Sequence, residues 1–218
     1  DHQLPHAEWR LFAGGRVAGL RESFAVTSVP PALNLLCHPA TPCPLALQVS
    51  VTLHGQASGL LLHYQVTGQV AGIQLPPAAP PGAADGLWQH TCMETFVSPV
   101  QAAHYREFNF SPSGQWAAYC FSAERQRDTD AEVRRPIQPT LWMEHTSERF
   151  DLWAELPATA LPPASRLCLG LSAVIETRDG HRSYWALHHP RPDRPDFHHR
   201  GGWREMPSVA PNPPATPA

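Results

Sequence analysis

The chain has 218 residues, and its hydrophobic content of 42% is enough to build the core of one large domain. A net charge of -3 and a pI near 6.5 leave no basic field that would attract a nucleic-acid backbone. The 25 prolines argue against a helical bundle and favour short strands joined by stiff loops.

The chain divides into three parts by sequence pattern. Residues 1–33 are weakly organised, because glycines interrupt the few apolar residues there, and we predict an N-terminal extension. Residues 34–206 contain many short alternating runs with turns at roughly ten-residue spacing, which predicts an all-β sandwich of about ten antiparallel strands. Residues 207–218 are rich in proline and of low complexity, and we predict a disordered tail.

The predicted strands begin with a hairpin formed by residues 45–55 and 59–68, in which leucine and valine alternate on one face. Residues 76–86, rich in proline, predict a loop, and the charged residues 123–136 predict a second one. Residues 157–163 hint at a helical turn. The remaining runs with a strand pattern cover residues 70–75, 87–99, 105–121, 137–146, 150–157, 166–177 and 183–190.

Tryptophan and tyrosine residues recur in these runs, and packing in the core accounts for any single one of them. A sugar site, in contrast, needs a flat aromatic side chain beside convergent polar groups, because a sugar ring has an apolar C–H face and a polar rim. Trp88 directly follows the loop of residues 76–86 and is the first candidate for such a stacking platform. Trp185 is the second.

The hairpin of residues 105–121 carries a row of polar side chains on one face. Glu107, Asn109 and Ser111 share that face by the period-two spacing of a strand, while Phe108 and Phe110 take the other. A solvated face of an antiparallel sheet explains this row as well as a ligand groove does.

In the groove interpretation, the polar row borders Glu94 of a neighbouring strand, where a buried carboxylate would need a partner. The tight turn in the same hairpin would then place Trp116 and Tyr119 beside Glu107 and Asn109.

Thirteen histidines and three methionines raise the question of metal or haem binding. Adjacent histidines in a strand point to opposite faces, so a zinc site with several histidines is not expected. Met93 and a histidine from a separate strand could ligate a haem iron. His198 near Asp196 would be the acid–base pair of an enzyme of unrecognised type, although no established catalytic motif is present.

Four segments carry a resemblance to a known family. In chain order, GLWQHTCMETFVSP, YREFNFSPSGQWAAYCF, LGLSAVIETRDGHRSYWALHHP and PDFHH resemble bacterial DOMON-like proteins related to the type 9 carbohydrate-binding module. The resemblance extends over residues 35–203. It implies an immunoglobulin-like or jelly-roll β-sandwich, mostly non-enzymatic, that binds either a sugar between aromatic side chains or a haem through Met and His or Lys.

We therefore predict a non-catalytic module that binds a carbohydrate or a similar small polar ligand, without a cofactor or metal. Haem b is the alternative cofactor, with Met93 and His198 as its ligands. Docking of a partner to the proline-rich tail is a further alternative. The predicted ligand-binding residues are Trp88, Glu94, Glu107, Asn109, Trp116, Tyr119, Trp185 and His188.

The cysteines and the first residues of the given sequence indicate the expected cellular compartment. The count of five is odd and includes no CxxC pair, which favours free thiols in a reducing environment. No signal peptide is visible in the given chain, and no apolar run is long enough to span a bilayer. We expect a cytoplasmic protein with neither a membrane span nor a nucleic-acid partner.

Overall fold

The computed structural model describes residues 31–134, 136–164 and 166–207, and strands dominate this part of the chain. It contains one short α-helix, α1 (Thr129–Arg134), and single 3-10 turns at Val70–Gly72, Leu87–Gln89, Ala158–Ala160 and Arg200–Gly202. The strands are β1 (Leu33–Cys37), β2 (Leu47–Gln56), β3 (Gly59–Gly68), β4 (Gly82–Ala83), β5 (Cys92–Pro99), β6 (Tyr105–Phe110), β7 (Gln115–Ala123), β8 (Gln126–Arg127), β9 (Thr140–His145), β10 (Arg149–Pro157), β11 (Arg166–Glu176), β12 (Arg182–Ala186) and β13 (Arg204–Pro207).

These strands form one continuous sheet in the order β4-β7-β6-β5-β11-β12-β1-β2-β3-β10-β9, with β8 on β7 and β13 on β11. All pairs are antiparallel except β4 with β7, which is parallel. Strand β1 joins the two halves, because Leu33 to Leu35 pair with β2 while Leu36 and Cys37 pair with β12. The sheet curls at this strand, so its halves face each other.

One hydrophobic core fills the space between the two halves. Leu62 and Tyr64 of β3 meet Met93 of β5 and Phe108 of β6 in the same cluster of fully buried side chains. The Tyr64 hydroxyl crosses this core and donates a hydrogen bond of 2.7 Å to the Glu94 carbonyl oxygen. The all-β prediction is therefore confirmed, and two layers of strands enclose one core.

The structure has more strands than the predicted ten or so. Strands β4 and β8 have two residues each, and β13 follows a 3-10 turn near the end of the described chain. Such short strands carry no period-two signal that a sequence could show. The described strands begin at Leu33 and end at Pro207, and the rest of the predicted extension and tail lies outside the described residues.

Three local predictions need correction. Residues 70–75, predicted as a strand, form a 3-10 turn with a single bridge from Ile73 to Thr177. The strand predicted over residues 87–99 begins only at Cys92, since a 3-10 turn precedes it. The predicted charged loop instead contains β8 and α1. Asp128 caps the N-terminus of α1, because its Oδ1 accepts a hydrogen bond of 2.9 Å from the Ala131 amide.

The five cysteines all lie in the described part of the chain, and no disulfide joins them there. In that same part, no helix is long and apolar enough to cross a membrane.

Candidate functional site

The polar face of the β6–β7 hairpin is buried rather than solvated. Glu107, Asn109 and Ser111 are 6%, 0% and 2% exposed. The segment that follows β12 covers this face: the Trp203 ring stacks on Phe96 at 5.6 Å and lies against Gly170 of β11. A merely solvated sheet face is therefore the wrong interpretation of this row.

The covered face encloses a cavity of about 560 Å³. This volume is within the range of small-molecule sites, roughly 300–1,000 Å³. Strands β5, β6, β7, β8, β11 and β12 contribute residues to its lining, and so do the four segments that contain Thr41, Trp88, Arg125 and residues 195–198. Five aromatic side chains line it, those of Trp88, Tyr119, Phe121, Tyr184 and Phe197. The ionisable side chains around it are those of Glu94, Glu107, Arg125, Arg127 and His198.

Trp88 forms an aromatic wall with Tyr119. The indole is 44% exposed, and it meets the Tyr119 ring edge-on at a centroid distance of 6.2 Å. The Tyr119 hydroxyl donates a hydrogen bond of 2.8 Å to Asp85, and the Arg127 guanidinium lies 4.4 Å from the centre of the Tyr119 ring. Burial and the bond to Asp85 raise the pKa of Tyr119. Because Tyr119 is fixed on two sides, Trp88 has a rigid support.

Two buried carboxyl groups face the cavity. Glu94 is 3% exposed, and no hydrogen bond or ion pair from the described residues reaches its carboxyl group. Burial, reinforced by the charge of nearby Glu107, raises the pKa of Glu94 well above its ordinary value. Burial also raises the pKa of Glu107 to about 7, although Asn109, Arg125 and Arg127 oppose this rise. Burial therefore favours the protonated form of Glu94, and near neutral pH Glu107 is close to its titration midpoint.

His198 lies beside Glu107 without forming an ion pair. Its Nε2 is 3.6 Å from Glu107 Oε2, and its Nδ1 shares a hydrogen bond of 2.7 Å with the Tyr105 hydroxyl. Burial and then Arg125 lower the pKa of His198 to about 4. The imidazole thus loses its proton before Glu107 ionises. Asp196, the partner predicted for His198, instead binds Arg125 at 2.7 Å.

Several buried polar atoms beside these carboxyl groups have no hydrogen-bond partner. In the strand register Glu94 lies between Asn109 of β6 and Ser172 of β11, so the three side chains form a row on one face. The Asn109 amide lowers the pKa of Glu107. Neither its oxygen nor its nitrogen, however, is in hydrogen-bonding geometry with any described residue. Ser172 Oγ and Thr41 Oγ1 are also unsatisfied. Since an unsatisfied buried group costs about 1–3 kcal/mol, this row is suited to a polar ligand.

The structure brings together about half of the predicted ligand-binding residues. Trp88, Glu94, Glu107 and Tyr119 line one cavity. Asn109 lies directly beside Glu94 on the same sheet face.

Three predicted residues lie elsewhere. Trp116 is opposite Phe110 in the register and packs on the core side of β7, since it is three residues from Tyr119 and so takes the other face. Trp185 is buried in the core, where its Nε1 donates a hydrogen bond of 3.0 Å to Ser183 Oγ. His188 follows the end of β12 and is exposed.

The arrangement does not support Met93 and His198 as the two haem ligands. Met93 is fully buried in the core, on the face of β5 opposite to that of Glu94. His198 lies on the cavity side with Glu94. The sheet itself separates the two side chains.

The sequence reasoning missed several cavity residues. Tyr184 had a detectable signal, because it precedes Trp185 in a strand and must take the opposite face. Phe121 likewise lies two residues from Tyr119 on the same strand. Phe197 lies in the long segment between β12 and β13 and Arg125 in the turn between β7 and β8, where no periodic pattern indicates them.

The sequence matches no protein-family model and no curated protein. Solved structures resemble this one, among them the following two. A proposed carbohydrate-binding protein from Bacteroides uniformis has a TM-score of 0.56 and 17% sequence identity, over 82% of this chain and 86% of that chain. A carbohydrate-binding module of family 9 from Caldicellulosiruptor kristjanssonii, in complex with cellotriose, has a TM-score of 0.57 and 9% identity, over 87% of each chain. At these identities the similarity concerns the fold.

Proposed function

We propose that this chain is a non-catalytic module that binds a carbohydrate in the cavity beside Trp88. The observation that carries this proposal is the combination of an exposed, supported aromatic platform with two buried carboxyl groups in one cavity of about 560 Å³. A sugar can stack its C–H face on the indole of Trp88. Its hydroxyl groups can then reach Glu94, Glu107 and the unsatisfied atoms beside them.

The structural neighbours support the same conclusion. One of them is a family 9 module in complex with cellotriose, and the other is a proposed carbohydrate-binding protein. We propose on this basis that the fold is a β-sandwich like that of family 9. The immunoglobulin-like or jelly-roll strand order, the DOMON relation, the bacterial source and the cytoplasmic location remain predictions.

Calorimetric titration of the protein with glucose, cellobiose and cellotriose tests the proposal. We expect saturable binding of at least one of these sugars, and Trp88→Ala should weaken it roughly tenfold or more, because the stacking surface is lost. Trp142→Ala is the matched control. Trp142 is 42% exposed, close to the 44% of Trp88, but it lies on β9 in the other half of the sheet.

The comparison between the two tryptophan variants decides the location of the site. Equal loss of affinity in both, with unchanged melting temperatures, would show that sugars bind outside this cavity. Full affinity in Trp88→Ala would do the same.

A further inference from the structure

The arginines around the cavity have carboxylate partners, whereas the buried carboxyl groups have no arginine partner among the described residues. Arg125 binds Asp196 at 2.7 Å, and Arg127 donates two hydrogen bonds of 2.9 Å each to Glu132. Each arginine thus already has its own carboxylate. Glu94, in contrast, has no cationic partner among the described residues.

Glu107 does not form an ion pair with an arginine of the described residues either. His198 is the nearest basic side chain, with its Nε2 3.6 Å from Glu107 Oε2, and it is neutral when Glu107 ionises. The arginines lower the pKa of Glu107, yet this pKa stays at about 7. The cavity therefore holds two acidic groups, neither of which forms an ion pair with an arginine among the described residues.

Two further observations support a ligand beside these groups. Thr41 lines the same cavity, and its buried Oγ1 has no hydrogen-bond partner among the described residues, while Asn109 and Ser172, which flank Glu94 in the register, also hold unsatisfied atoms. Trp88 and Tyr119 present aromatic rings at the same cavity, and aromatic rings attract cations through their negative faces.

We infer that the cavity selects an amino sugar, a sugar that carries a protonated amine, over neutral and acidic sugars. This inference rests on the proposed function and names its ligand class. The ammonium group would lie between Glu94 and Glu107, as the cation that neither carboxylate has. The sugar ring would stack on Trp88, and its hydroxyl groups would bond to Thr41 Oγ1, the unsatisfied atom that lines the cavity.

A proton balance accompanies this binding. Burial holds Glu94 in its protonated form, and an adjacent ammonium group favours the carboxylate. Binding therefore releases the Glu94 proton to the buffer, because the positive charge of the ligand's ammonium group takes its place. The titratable and charged groups that interact with the pair are Tyr64, Cys92, Tyr105, Tyr119, Arg125, Arg127, Glu132 and His198.

The test is calorimetric titration of the protein with glucosamine, glucose, N-acetylglucosamine and glucuronic acid, in two buffers of different ionisation enthalpy. We expect glucosamine to bind roughly tenfold tighter than glucose, because a charge-assisted bond replaces a neutral one. Its binding should release up to about one proton per site, whereas glucose should release none.

Two variants locate the effect. Glu94→Gln keeps the shape and the neutral charge of the protonated side chain, so it should fold as the wild type does. Its affinity for glucosamine should fall to about its affinity for glucose, and the part of the proton release that comes from Glu94 should disappear. Glu144→Gln makes the same chemical change at an exposed position on β9 and should change neither.

The outcomes separate this inference from the proposed function. Equal or tighter binding of glucose or N-acetylglucosamine would overturn the amine preference and leave carbohydrate binding intact. Tighter binding of glucuronic acid would overturn it too, and would make the arginines the selective groups. If none of the four sugars and no cello-oligosaccharide binds, both proposals are wrong.

Discussion

The substitution Glu107→Gln should stabilise the protein, and the gain should depend on pH. Glu107 is 6% exposed, and its pKa of about 7 lies above the ordinary 4.5 because burial disfavours the charged form. The folded state therefore binds this proton more tightly than the unfolded state does. The stability of the wild type falls as pH rises from about 4.5 to about 7, and the loss persists at higher pH.

The size of the loss follows from the two pKa values. A tenfold change in proton affinity corresponds to about 1.4 kcal/mol, so a rise from 4.5 to about 7 costs roughly 3 kcal/mol once Glu107 must ionise. Glutamine has no such titration. We expect Glu107→Gln to be more stable than the wild type by roughly 3 kcal/mol near pH 8, and to match it near pH 4.

Urea denaturation followed by tryptophan fluorescence, repeated from pH 4 to pH 8, measures this difference. Glu144→Gln, the exposed control on β9, should stay within about 0.5 kcal/mol of the wild type throughout. A gain that is independent of pH would show that Glu107 does not titrate between the two extremes. If the variant is less stable at pH 8, then Arg125 and Arg127 outweigh burial and stabilise the carboxylate.

Three further changes test the surroundings of the cavity by the same denaturation series. Because the pKa of His198 is lowered to about 4, the stability of the wild type falls as pH drops below about 6.5. The free energy of unfolding of His198→Gln, compared with that of the wild type, should therefore be up to roughly 3 kcal/mol more favourable near pH 4 than at pH 7. Gly170→Ala should lose about 1–3 kcal/mol, because its Cβ would lie 2.6 Å from the Trp203 ring, whereas Gly82→Ala, with nothing within 4 Å, should be nearly neutral. Tyr64→Phe should lose about 1–2 kcal/mol at every pH, since two buried hydrogen bonds to β5 disappear. A flat pH profile for the first variant, equal stability of the two glycine variants, or an unchanged Tyr64→Phe protein would contradict these expectations.

Strand periodicity predicted the parts of the site that lie within one strand. The alternation in β6 correctly separated Glu107 and Asn109 from the core residues Phe108 and Phe110, and the structure buries both sets on opposite faces. The same rule could have excluded Trp116, which is an odd number of residues from Tyr119 on the same strand.

The burial of the polar face could not be predicted in this way. It depends on contacts between residues that are far apart in the chain, such as the stacking of Trp203 on Phe96 and the approach of His198 to Tyr105. Arg125 enters the cavity from a position with a left-handed φ of 57°, which no local sequence pattern indicates. Periodicity assigns a residue to a face, but only the tertiary structure decides whether that face is solvated.

The core and the candidate site are coupled through β5. Met93 packs in the core and Glu94 faces the cavity, so one strand holds both environments in a fixed relation. The Tyr64 hydroxyl binds the Glu94 carbonyl oxygen from the core side, which fixes the backbone on which the carboxyl group depends. The segment that carries His198 covers the other side, and the resulting burial raises the pKa of Glu94. The charge state of the site is therefore a consequence of how this segment packs. A ligand that brings its own positive charge can restore the carboxylate without unpacking it.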